Sequence, residues 1–123
     1  MDAQNRDRMA EAVYFCRTGY ELLKKTAERG PMLMGLNNLV YYESIYGDMS
    51  KGRHLLEQAR ELRAAGDELA KPHLLLTYCR AVVRYSTDPK EREEARRLAS
   101  ELLAGKLSDQ ERNEAKFYLA SLP

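Results

Sequence analysis

The chain has 123 residues and a mass of 14.1 kDa, room for one compact domain or a few stacked repeats but not for two full domains. Hydrophobic residues at 44% and charged residues at 32% exclude a disordered tail, and 20 basic against 19 acidic side chains leave no basic excess of the kind nucleic-acid binders carry. The longest apolar runs fall far short of the roughly 20 residues that cross a bilayer, and residues 1–12 lack the apolar centre of a secretion signal, so a cytoplasmic protein with no membrane or nucleic-acid partner is expected.

Six segments carry apolar residues three and four apart and none alternates as a half-buried strand does, so the fold is expected to be all-α. The first helix, over residues 3–28, aligns Met9, Val13, Cys16, Tyr20, Leu23 and Ala27 in one stripe before Gly30 and Pro31 end it. A second, over 32–46, stops at Gly47 and Asp48. Ser50 opens a third with Leu55, Leu56, Ala59 and Leu62 on one face, ending near Gly66. Pro72 suits the first turn of a fourth helix that reaches Tyr85, because its missing N–H is needed by no partner there. Thr87 or Asp88 caps the fifth, with Pro89 at its first position and Gly105 after its end. Ser108 and Glu111 form a capping box for the sixth, which closes on Leu122 and Pro123. All connections are short, so consecutive helices should pack antiparallel.

Chemistry-bearing groups are sparse. Cys16 and Cys79 sit far apart within apolar patterns and should be reduced, buried thiols. His54 and His73 are the only histidines and lack metal-binding spacing, and the glycines form no phosphate loop, so no metal, cofactor or enzymatic activity is expected. Glu21 with Lys25 and Glu93 with Arg97 stand at the four-residue spacing of solvated helix pairs. Tyrosines outnumber phenylalanines by 8 to 2, and Tyr41, Tyr42 and Tyr46 crowd one helix, a bias that suits groove walls or packing between helices.

Shifting the chain by 40 residues aligns Leu22, Leu62 and Leu102, with Glu21, Glu61 and Glu101 just before them. Gly19, Ala59 and Ala99 also coincide, as do Phe15, Leu55 and Ala95, and Asp48 falls on Asp88. Small residues beside a fixed leucine permit close helix crossing, which would account for Gly19 in mid-helix. The even helices align at a shift of 39 or 40, Leu36 to Val40 against Leu75 to Cys79 and Tyr78 against Tyr118.

Leu36-Asn37-Asn38-Leu39-Val40, Gly47-Asp48 at the hairpin turn, then Leu56, Ala59 and Leu62 resemble the longer tetratricopeptide repeat, whose units span about 40 residues. Gly66-Asp67 with Lys71-Pro72 is similar to the extended link of that variant, while Glu43 stands where an aromatic residue is usual. The resemblance implies a right-handed stack of antiparallel helical hairpins, an α-solenoid, forming one domain over 1–123. Its parts would be an N-terminal helix (1–30), repeats at 31–66 and 67–106, and a capping helix (107–123).

It further implies a protein-protein interaction module within a signalling or regulatory protein, binding a peptide or partner helix in a concave groove lined by the first helix of each hairpin. On the second helix, Met34, Asn37, Tyr41 and Ser44 form a semi-polar face opposite Gly35, Leu39, Tyr42 and Tyr46, which are assigned to the core. The expected groove residues are therefore Asn37, Asn38 and Tyr41, then Thr77, Arg80 and Arg84, then Asn113 and Lys116. Asparagine amides suit an extended backbone, and the basic residues suit an acidic segment. The alternative is an oligomerisation segment that pairs, with another copy for instance, through exposed apolar terminal helices.

Overall fold

A computed structural model describes residues 3–26, 28–47 and 49–122. Ala27, Asp48 and Pro123, expected as a stripe residue, a turn marker and an end marker, lie outside the described residues. Those described form six α-helices and one 3-10 turn, with no strand among them. The helices are α1 Ala3–Thr26, α2 Arg29–Tyr46, α3 Gly52–Leu69, α4 Pro72–Tyr85, α5 Pro89–Leu103 and α6 Asp109–Ser121; the 3-10 turn is Met49–Lys51.

Several helix ends follow directly from local chemistry. Pro72 and Pro89 occupy the first turns of α4 and α5, and Asp88 Oδ1 accepts the Lys90 N–H at 3.0 Å. Ser108 Oγ accepts from the Glu111 N–H at 3.2 Å while the Glu111 carboxylate accepts from the Ser108 N–H at 3.0 Å, completing the capping box. The expected end of α3 at Gly66 is corrected: α3 continues to Leu69 and stops on Ala70, a left-handed residue with φ 53°. Gly66 serves packing instead. A methyl group there would lie 2.8 Å from Leu75 Cδ2 and 3.2 Å from Leu74 Cβ, so its small size lets α4 lie close against α3.

Each helix packs on the next, and α2 also touches α4, which in turn touches α6. Helix α4 is thereby surrounded, and its run from Leu74 to Cys79 is buried at every position. Cys79 lies in this interior, where loss of solvent pushes its thiol up to about 12. Both cysteines are free, Cys16 being half-buried.

Val13 and Tyr20 of α1 are buried, and Cys16 and Leu23 are half-buried, in agreement with the stripe. Between α3 and α5 the forty-residue shift pairs buried Leu55 with buried Ala95 and buried Ala59 with buried Ala99, while buried Leu62 falls on half-buried Leu102. The register fails on α1. Phe15 and Leu22 are 67% and 61% exposed, and a methyl group on Gly19 would meet nothing within 4 Å. Close helix crossing therefore does not explain Gly19; the main neighbour of α1 is α2, whereas α3 lies between α2 and α4.

Two-sided burial also redistributes α2. Ser44, expected on the semi-polar face, is buried, and Tyr46, expected in the core, is exposed, because α2 contacts α1, α3 and α4. Glu43 is only 1% exposed and its carboxylate pairs with Arg17 of α1. On the surface, Glu21 meets Lys24 and Glu93 meets Arg96, so both acids take the neighbour three residues on in place of Lys25 and Arg97.

Candidate functional site

The contact of α2 with α4 and of α4 with α6 leaves a cleft of about 400 Å³ along the three helices. Helix α2 contributes Asn37, Asn38, Tyr41 and Tyr42; α4 contributes His73, Leu76 and Thr77. Its far wall is the start of α6, with Ser108, Gln110, Glu111 and Glu114. The helical period dictates this grouping: residues 37, 38, 41 and 42 recur on one face of α2, as 73, 76 and 77 do on α4.

Asn37, Asn38, Tyr41 and Thr77, four of the eight residues expected to line a groove, thus converge. Thr77 spends its hydroxyl on its own helix, donating to the His73 carbonyl at 3.0 Å. Asn37 is only 9% exposed, and its Oδ1 is buried without a hydrogen-bond partner, as is Nε2 of His73. A buried polar atom left unpaired costs about 1–3 kcal/mol, so each of these atoms favours a hydrogen-bonding group brought to it.

The other four lie elsewhere. Arg80 is held beside the cleft, its guanidinium 5.3 Å from the centre of the Tyr41 ring and 5.4 Å from that of Tyr118, with Nε donating to the Tyr118 hydroxyl at 3.0 Å. Burial raises the Tyr41 phenol above its usual range; the charge of Glu114 adds to this and that of Arg80 opposes it. Arg84 turns to the end of α2, donating to the carbonyls of Ile45 at 3.0 Å and Gly47 at 2.8 Å. Asn113 and Lys116 are exposed on α6 outside the cleft lining.

Sequence reasoning assigned Tyr42 to the core and missed His73, Glu111 and Glu114 as cleft residues and Glu91 as a junction. Glu91 Oε2 accepts from Arg60 Nε at 2.8 Å and from the Tyr78 hydroxyl at 3.3 Å, while Oε1 accepts from Arg60 at 3.0 Å and from Ser86 Oγ at 2.9 Å. Hydrogen bonding from Arg60 above all, then from Ser86, holds the Glu91 carboxyl below its ordinary range. In the sequence Glu91 is only an acid in the first turn after Pro89, and its partners come from two other helices and a turn. A larger hollow of about 530 Å³ adjoins this junction, where Arg60, Ser86 and Glu91 already satisfy one another.

Among the described residues no group of three or more His, Cys, Asp or Glu could hold a metal ion, and no helix is long and apolar enough to cross a membrane. Compared with known proteins, the chain matches no family model, no curated protein and no solved structure.

Proposed function

We propose that this chain is a cytoplasmic protein-binding module of tetratricopeptide type, a right-handed stack of hairpins serving within a signalling or regulatory protein. In this reading α2, α4 and α6 are the first helices of successive hairpins, and the cleft along them takes an extended peptide or a partner helix. The supporting observation is the convergence of Asn37, Asn38, Tyr41 and Thr77 on that cleft, with an acceptor on Asn37 left unused. An amide can donate to and accept from a passing backbone, so an entering segment would satisfy what the free chain leaves unpaired. The test is the double variant Asn37→Ala, Tyr41→Ala against a partner recovered by pull-down. Affinity should fall at least tenfold with an unchanged circular dichroism spectrum; undiminished affinity in a folded variant rejects the cleft.

A second reading is favoured by α1, whose outer side exposes Tyr14, Phe15 and Leu22. That face would pair with another copy of the chain. Sedimentation equilibrium should then report a dimer that Phe15→Glu converts to monomer, whereas a monomer at every concentration of the parent chain removes this reading.

A further inference from the structure

Building on the proposed peptide cleft, we infer that its occupant is a basic segment, one that lays a lysine or arginine side chain between Glu111, Glu114 and Asn37. The formal charges lining the cleft are the carboxylates of Glu111 and Glu114, and among the described residues neither lysine nor arginine lines it. The basic side chains expected there are used otherwise. Arg84 caps the end of α2, Lys116 lies outside the cleft lining, and Arg80 is held against two tyrosine rings.

Neither carboxylate is saturated by its present partners. One oxygen of Glu111 serves the capping box, and among the described residues Glu114 accepts only from Gln110 at 3.5 Å and from the Tyr118 hydroxyl at 3.4 Å, both long. The unused Oδ1 of Asn37 is a third acceptor on a side chain more than nine-tenths buried. Ammonium and guanidinium groups carry donors and no acceptors, so a basic side chain entering the cleft meets only groups that accept from it, with charge-assisted bonds to the carboxylates. An acidic residue would meet two like charges and leave the amide oxygen unpaired. The N-terminus of α6 faces the cleft and Arg80 stands beside it, both favouring anions, but a partial charge of roughly +0.5 and one guanidinium are outweighed by two full negative charges. The Glu111 N–H of α6 is in addition already capped by Ser108.

The test uses three fluorescein-labelled dodecapeptides, alternating alanine with lysine, glutamate or glutamine, titrated by anisotropy at physiological salt. The lysine peptide should bind the intact chain at least tenfold more tightly than the other two. Glu111→Gln with Glu114→Gln should weaken it at least fivefold; glutamine keeps the capping box, so this variant folds. Glu61→Gln with Glu101→Gln removes two exposed charges elsewhere and should leave affinity within twofold. Equal loss in that remote variant would mean long-range attraction and overturn the inference. So would equal or tighter binding of the glutamate or glutamine peptide; if that binding is lost in Asn37→Ala with Tyr41→Ala, the cleft stands and only its charge preference fails. Absence of saturable binding by the lysine peptide also overturns it.

Discussion

Helices α1 and α3 correspond residue for residue at a shift of forty but have different surroundings. Helix α3 lies between α2 and α4, and Leu55, Ala59 and Leu62 are buried. Forty residues earlier on α1, Phe15 and Leu22 face outward and Gly19 borders open space. The contrast teaches that periodicity reports which residues share a face, while the number of neighbours decides whether that face leaves water.

The sharpest way to break the contrast is the matched pair Leu62→Ala and Leu22→Ala. Leu62 is fully enclosed, so its truncation should cost about 2–5 kcal/mol through lost contact and a residual cavity. Leu22→Ala should stay within about 0.5 kcal/mol, since most of that side chain is already solvated. Urea unfolding of the two variants measures both; equal losses would mean that α1 is covered in solution.

Next in size is Glu91→Gln, which weakens the junction of α3, α4 and α5. It should cost about 1–3 kcal/mol at neutral pH, because Arg60, Ser86 and Tyr78 lose a charged acceptor that is largely buried. Since Glu91 titrates below the ordinary carboxyl value of 4.5 when folded, its stabilisation is complete above that value and disappears as pH falls through the folded pKa. Stability curves from pH 6 to pH 3 should therefore fall less steeply in the variant. An unchanged acid limb would remove the junction from the acid response.

The smallest effect comes from the open side of α1. Gly19→Ala adds a methyl group where nothing stands within 4 Å and removes backbone freedom from the unfolded chain, so thermal melting should show a gain of roughly 0.5–1 kcal/mol. A loss would reveal a close neighbour at that position.

Helix existence and order were legible in the sequence because proline, capping and periodicity signals are local. The start of α4 at Pro72 and the capping box of α6 follow from residues within one turn. Gly66 misled because glycine ends helices and also lets them touch, and only the proximity of Leu74 and Leu75 decides between these roles. Four cleft residues were readable from the face they share. The destinations of Arg80 and Arg84 were not, since a guanidinium reaches several partners and its choice depends on rings and carbonyls supplied by other helices. Glu43 and Glu91 escaped for the same reason: burial of a carboxylate depends on a cation arriving from elsewhere in the chain.

The grip of Arg84 on the carbonyls of Ile45 and Gly47 bears on how the molecule opens. Helix ends commonly fray one turn at a time, independently of the rest. Here the last turn of α2 is fastened by a side chain rooted in α4, so its loosening is coupled to α4 and the two belong to one cooperative unit.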